Sequence, residues 1–201
     1  MQRKKEKWKL EIEIIEQAVK VLSKGGNLLY PTDTIWGIGC DARNTTAVER
    51  LYAIKQRDHS KSMIVLCSSD ITPDMARHVP TTALSANGRP TTYILPRSIW
   101  HDELRLSVAD NIPAADGTLG IRIPNHAFCQ EAIHRLGAPL VSTSANFSGQ
   151  PSPQHYNEIA DDLKSRLDYC VPPLPELLSS ETRGSRIVKV NTDGSTTVIR
   201  P

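Results

Sequence analysis

Four hydroxyls, an amide and a glycine stand together in Ser142-Thr143-Ser144-Ala145-Asn146-Phe147-Ser148-Gly149, after the apolar run Pro139-Leu140-Val141 and before Pro151-Ser152-Pro153. A strand ending this way delivers several small hydrogen-bonding groups to one edge of a sheet, where they can surround a ligand. The same residues also suit an Asn/Ser turn leading into a helix. Four further segments set polar groups within or at the end of an apolar run, and their company favours the binding reading.

Pro31-Thr32-Asp33-Thr34-Ile35-Trp36-Gly37-Ile38-Gly39 offers two hydroxyls, an aromatic ring and two glycines that let backbone approach a ligand. A proline-initiated turn with a core Trp has the same composition. Lys55-Gln56-Arg57-Asp58-His59-Ser60-Lys61 sets two cations two residues apart and a third four further on. They converge on a polyphosphate if the helix unwinds after Lys55, Arg57 by forked contacts and the lysines as point charges. Otherwise they complement the dipole at a helix C-terminus. Thr118-Leu119-Gly120-Ile121-Arg122-Ile123-Pro124 puts a guanidinium inside an apolar strand, where it must meet a carboxylate of the protein or of a ligand. Gly184-Ser185-Arg186-Ile187-Val188-Lys189-Val190, with Arg200 across a hairpin, either joins the same place or forms a polar-faced sheet edge.

Other chemistries find no support. There is no G-x-x-x-x-G-K-[ST] loop, which excludes an ordinary P-loop. No Ser/His/Asp order, metal cluster or redox pair emerges, and His59, His101, His126 and His155 have no partner implied by spacing. Catalysis would then come from positioning and charge neutralisation, with no metal held by side chains. A net charge of +2 over 201 residues is too mild to imply nucleic-acid binding from bulk electrostatics. The dense basic run, Arg3-Lys4-Lys5 with Lys7 and Lys9, reads as a solvated extension over residues 1–9 rather than an RNA contact. Cys40, Cys67, Cys129 and Cys170 lie far apart and read as reduced core thiols. With neither an apolar signal segment nor an apolar run near the ~18 residues of a membrane span, a soluble cytoplasmic protein is expected.

The elements that must position these groups follow from periodicity. A helical stripe runs through Leu10, Ile14, Ile15, Ala18, Val19, Val21 and Leu22, with Gly25-Gly26 as its stop. Asn27 to Tyr30, Met63 to Cys67, Thr92 to Leu95 and Leu119 to Ile123 read as strands. Asn44 and Thr45 can cap a second helix ending near Arg57, and Asn125 a third that Gly137 ends. Tyr156 to Leu167 is expected to be helical, and Arg186 to Val190 pairs with Thr196 to Ile199 through an Asp193-Gly194 turn. Leu84 to Pro90 and Val171 to Arg183 are rich in Pro, Ser and Gly and read as surface loops. The pattern predicts one α/β domain over residues 10–201 with a mixed, twisted sheet.

Taken in order, the segments resemble the YrdC domain family from about Leu10 to Arg200. Its P-T-[ED]-T-x-[YFW]-G-[IL]-G segment stands here as Pro31 to Gly39, and its K-x-R with a following basic residue as Lys55, Arg57 and Lys61. Its G-P-x-T element is matched by Arg89-Pro90-Thr91-Thr92 and its [VI]-R-[VIM]-P-x-H by Ile121 to His126. S-x-N-x-S-G is present as Ser144, Asn146, Ser148 and Gly149, and a late S-x-I-[VI] as Ser185 to Val188. Departures are Asp58 and Ser62 in place of prolines, Arg89 in place of glycine, and Leu66 where some long members carry a threonine-contacting His. The YciO sister group loses the Lys of K-x-R and the Asn of S-x-N, whereas this chain keeps Lys55 and Asn146.

The resemblance implies a single α/β domain whose mixed, twisted, largely open sheet is flanked by helices around a concave basin. It implies formation of threonylcarbamoyl-AMP and pyrophosphate from L-threonine, bicarbonate and ATP, the first step towards threonylcarbamoyladenosine at position 37 of tRNA. Lys55, Arg57, Ser144 and Asn146 are the implied catalytic residues. Lys55, Arg57, Lys61, Thr118, Ser144, Asn146, Ser152 and Arg200 would bind ATP, with Mg2+ carried by the nucleotide. Thr32, Thr34, Arg122, Ser142 and Ser185 would bind threonine. Contact with tRNA or double-stranded RNA, and a transient one with the later threonylcarbamoyl transferase, are left open. The alternatives are a non-catalytic RNA-binding module, or a YciO-like or carbamoyl-transfer relative.

Overall fold

Leu28 and Tyr30 pack into one apolar cluster and Leu29, between them, into another, so this short strand is covered on both faces. The computed structural model describes residues 2–70, 72, 74–79, 89–178 and 183–201, and the side chains among these except 2–8, 76 and 176. Nine strands are found among them: β1 (Leu28–Tyr30), β2 (Gly37–Gly39), β3 (Ile64–Leu66), β4 (Thr91–Leu95), β5 (Leu119–Arg122), β6 (Leu140–Ser144), β7 (Tyr169–Cys170), β8 (Arg186–Val190) and β9 (Thr196–Arg200). They form one mixed sheet in the order β7-β1-β2-β6-β3-β5-β4-β8-β9. The pairs β1/β7, β3/β5 and β4/β8 are parallel and the other neighbours antiparallel.

Helices cover both faces. Helix α1 (Gln2–Ser23) begins well before Leu10, so the basic run is part of a helix. Its buried Ile14, Ala18 and Leu22 meet Phe128, Cys129, Ala132 and Ile133 of the helix Ala127–Leu136 over one face of the sheet. On the opposite face α2 (Thr45–Lys55) buries Val48, Leu51 and Tyr52. It starts as expected: the Asn44 side chain accepts the Ala47 N–H at 3.0 Å. It stops at Gln56, whose φ of 51° is left-handed. Two short helices, α3 (Met75–His78) and α5 (Asp161–Ser165), flank the long one at Ala127–Leu136, which is α4. Helices on both faces and the mixed sheet match the expected single α/β domain. No helix among the described residues is long and apolar enough to cross a membrane. The four cysteines are free and three are buried, burial pushing the Cys40 thiol up to about 12.

Two local expectations are corrected. Helix α4 is capped by His126 rather than Asn125, with no side-chain cap bond, while the Asn125 N–H is donated to Asp33 Oδ2 at 3.1 Å. The stretch 156–167 is not one helix: a 3-10 turn Tyr156–Glu158 gives way to extended Ile159 and Ala160 before α5. Ile159 and Leu163 are both buried in the core, and Asp161 and Asp162 restart the helix from an acidic first turn. Gly37–Gly39 forms β2, and its glycines allow close approach of the neighbouring strand. A Cβ on Gly39 would lie 1.8 Å from the Val141 carbonyl oxygen of β6. The Val171–Arg183 loop contains a 3-10 turn, Pro175–Leu177, and its residues 179–182 lie outside the described residues, as do residues 84–88 of the other expected loop.

Candidate active site

The ends of strands β2, β3, β5, β6, β8 and β9, with the loop after β1, border one cavity of about 330 Å³. The loop after β1 forms its first wall and is tied by hydroxyls. Thr32 Oγ1 donates to the Ile35 carbonyl at 2.8 Å and accepts the Thr34 N–H at 3.0 Å. Its one proton is thereby spent, so the Thr34 hydroxyl at 2.9 Å must donate to it. The Thr34 oxygen in turn accepts from Arg122 Nη1 at 3.2 Å. The result is a directed chain from Arg122 through Thr34 and Thr32 to a carbonyl, which fixes where the wall can still accept. A Cβ on Gly37 would lie 3.2 Å from Ser142 Oγ and 3.3 Å from the Thr32 methyl, so glycine there lets the two walls meet.

Arg122, at the end of β5, is 4% exposed, and its Nη2 lies 3.3 Å from Asp33 Oδ1 of the equally buried Asp33. The choice left open by the sequence is thus answered partly by the protein. The answer is incomplete: Arg122 Nε and Asp33 Oδ1 are buried without a hydrogen-bond partner. Asp33 is a functional residue that residue-by-residue reading missed. The signal was present, an acid between two threonines and an arginine elsewhere that required one.

The other cations are held differently. Arg57 donates Nε to the Lys61 carbonyl at 2.8 Å and Nη2 to the Ser62 carbonyl at 2.9 Å. Arg200 donates Nε and Nη2 to the Ser185 carbonyl at 2.9 and 2.6 Å, lying so close over Gly184 that a Cβ there would sit 3.0 Å from the guanidinium. Arg57, Arg122 and Arg200 line the cavity, and no carboxylate does among the described residues. Neutral carbonyls orient the Arg57 and Arg200 groups without cancelling their charge, so the cavity is a local anion site in a chain of mild net charge.

Lys55 is the last residue of α2, and its Nζ donates to the carbonyls of Ser144 and Asn146, at 2.6 Å for Ser144, with Asn146 Oδ1 at 3.4 Å. Burial, and next the positive charge of Arg57, pull its pKa down to about 7. Three oxygens around Nζ nevertheless match the three donors of an ammonium. The Lys55 carbonyl accepts the Ser148 N–H at 2.9 Å, so the helix end and the S-x-N loop are zipped together. The Asn146 amide nitrogen donates to the carbonyls of Phe147 at 3.0 Å and Gln150 at 2.7 Å. Asn146 is therefore both a turn residue and the anchor of the lysine.

Of the residues singled out in the sequence, Thr32, Thr34, Arg57, Arg122, Ser142, Ser144, Ser152, Ser185 and Arg200 line the cavity together. Lys55 and Asn146 are bonded to its wall without lining it. Lys61 is exposed beside the mouth, where its carbonyl holds Arg57. Thr118 is not brought in: its hydroxyl donates to Asp116 Oδ1 at 2.6 Å. A second recess of about 300 Å³ shares the Thr32, Thr34, Ile35 and Trp36 wall and adds His155 and Tyr156.

Comparison with known proteins agrees with this geometry. A family model named Sua5_yciO_yrdC, described as telomere recombination, matches residues 20–201. A protein of Xanthomonas campestris pv. campestris named threonylcarbamoyl-AMP synthase is 35% identical over 161 residues, 77% of this chain and 82% of that protein. The crystal structure of P. abyssi Sua5 complexed with L-threonine is similar with a TM-score of 0.74 at 25% identity, covering 95% of this chain and 54% of that one. The E. coli YciO structure shares the fold, with a TM-score of 0.66 at 24% identity over 94% of this chain and 88% of that one. The match over most of the length, with the family's motifs gathered around one cavity, shows that the chain belongs to the Sua5/YciO/YrdC family.

Proposed function

We propose that the cavity forms threonylcarbamoyl-AMP and pyrophosphate from L-threonine, bicarbonate and ATP, the first step of tRNA threonylcarbamoyladenosine synthesis at position 37. The observation that carries the reading is the buried Lys55 joined to Asn146 and Ser144 beside a carboxylate-free cavity lined by three arginines. Lys55 and Asn146 are the two positions that the YciO sister group lacks. The name of the Xanthomonas relative and the threonine in the P. abyssi complex support the same reaction.

The bonds balance simply. Condensation of the threonine amine with bicarbonate gives a carbamate and water. A carbamate oxygen then bonds to the α-phosphorus of ATP, and the bond from that phosphorus to the bridging oxygen breaks, releasing pyrophosphate. Arg122 clamps the threonine carboxylate, with Thr34, Ser142 and Ser185 around the amino acid. Lys55, Arg57 and Arg200 stabilise the charge of the triphosphate, with Ser144 and Ser152 at the nucleotide. No side-chain nucleophile is needed, because the geometry supplies positioning and electrostatic stabilisation.

The donor set of the cavity, hydroxyls and cations, does not suit a magnesium held by protein carboxylates. The ion belongs with the triphosphate as part of the substrate. The product is an activated mixed anhydride, which favours hand-over to the transferase and tRNA in the cytoplasm over release. The test is incubation with ATP, magnesium, bicarbonate and each of the twenty amino acids while pyrophosphate is followed. Release selective for threonine and dependent on bicarbonate is expected; release indifferent to the amino acid sinks the assignment.

A further inference from the structure

Thr92 belongs to the G-P-x-T element, yet the site described above gives it no task. It is 1% exposed, and its hydroxyl lies 2.8 Å from the hydroxyl of Ser185, which lines the cavity. The strand register explains the meeting. Tyr93 of β4 is paired with Ile121 of antiparallel β5, and Thr92 of β4 with Ile187 of β8, two residues beyond Ser185. One more step of the β4/β5 register sets Thr92 opposite Arg122, on the same sheet face. Gly120 adjoins it: a Cβ there would crowd an Ile64 methyl at 2.9 Å and meet the Thr92 methyl at an ordinary contact distance of 3.5 Å.

Proton counting gives this pair a direction. A buried hydroxyl places its proton on an acceptor, and among the described residues the Thr92 hydroxyl has Ser185 Oγ as its hydrogen-bond partner, so Thr92 donates. Arg200 Nη2, at 3.5 Å, is a second donor to the same oxygen. With both lone pairs of Ser185 Oγ so engaged, its own proton remains for whatever enters the cavity.

We propose that Thr92 is a positioning residue that makes Ser185 a dedicated hydrogen-bond donor to the anionic oxygen of the substrate held beside Arg122. On the function proposed above, on which this inference rests, that oxygen belongs to the threonine carboxylate. Thr92 touches no substrate; it acts through Ser185.

The test is a double-mutant cycle read as separate KM values for threonine and ATP. Thr92→Val removes the hydroxyl at nearly constant volume and should raise the threonine KM about tenfold, a typical loss for one buried hydrogen bond. kcat and the ATP KM should change less than about threefold. Thr92→Ser, which keeps the hydroxyl, should stay within about twofold of wild type, and Thr92→Ala repeats the test should valine crowd the fold. In a Ser185→Ala background Thr92→Val should add less than about twofold. Equal effects of Thr92→Val in both backgrounds, or a threonine KM unmoved by Thr92→Val, overturn the role of Thr92 alone. A wild-type protein without threonine-dependent pyrophosphate release overturns the functional reading and this inference with it.

Discussion

Arg122 faces a buried carboxylate 3.3 Å away, whereas Lys55 and the arginines at 57 and 200 are oriented by carbonyl oxygens of the backbone and one side-chain amide. The difference separates two ways of holding a cation. A carboxylate partner cancels most of the charge and fixes the guanidinium as a fork that reads shape, suited to a small carboxylate arriving beside it. Carbonyl dipoles fix position while leaving the charge, suited to a polyanion. One cavity thus contains a nearly neutral recognition region and a strongly positive one.

The largest effect that would break this contrast is on stability. Arg122→Ala leaves Asp33 as a buried charge without its partner and should cost about 3–5 kcal/mol, measured from the denaturant midpoint. Combining Arg122→Met with Asp33→Asn should recover most of that loss, since no charge is then stranded. A cost below about 1 kcal/mol for Arg122→Ala would mean that the pair is not the buried unit described.

Next in size is Lys55→Ala, which should lower the rate of pyrophosphate release by about 10² to 10³, the usual cost of one preorganised electrostatic donor. Three oxygens lose their donor in that variant, so a stability loss of about 1–3 kcal/mol should accompany it. Wild-type-like release would move the positive region elsewhere.

The smallest effect is a fraction of a proton. Burial and the neighbouring Arg57 pull the pKa of Lys55 down to about 7, and phosphates bound nearby would raise it again. Between those two values ATP binding must take up protons. Uptake should therefore be largest somewhat above pH 7 and fade at lower pH, where Lys55 is already charged. Calorimetry of ATP binding in buffers of different ionisation enthalpy measures it directly, and Lys55→Met should abolish it. Threonine binding beside the neutralised Arg122 should show no comparable uptake.

Much of this was legible in the chain. The stripe around Ile14, Ala18 and Leu22, the Asn44 cap and the closing hairpin are set by local periodicity and capping chemistry, and each is found. Thr32, Thr34, Ser142 and Ser185 are buried polar residues that line one cavity, as their placement beside apolar runs suggested. Three local readings failed. Asn125 has the right type for a cap, but His126 takes the cap position and makes no side-chain cap bond. Tyr156, Ile159, Leu163 and Leu167 have helical spacing, but the backbone at Ile159 is extended and divides the stretch. Thr118 immediately precedes the strand of Arg122, yet its hydroxyl is satisfied by Asp116 two residues away.

By itself the sequence determined the inventory: which cations and hydroxyls exist, which strands and helices carry them, and that a guanidinium inside an apolar strand demands a carboxylate. These follow from backbone periods and desolvation energies, which act over a few residues. Only the tertiary structure decided the partners: that Asp33 answers Arg122, that Lys55 is held by Ser144 and Asn146, and that Thr92 meets Ser185. Those choices depend on strand order and register, where a shift of one residue turns every side chain to the opposite face. Register is settled by packing across the whole sheet, so no local pattern could have specified it.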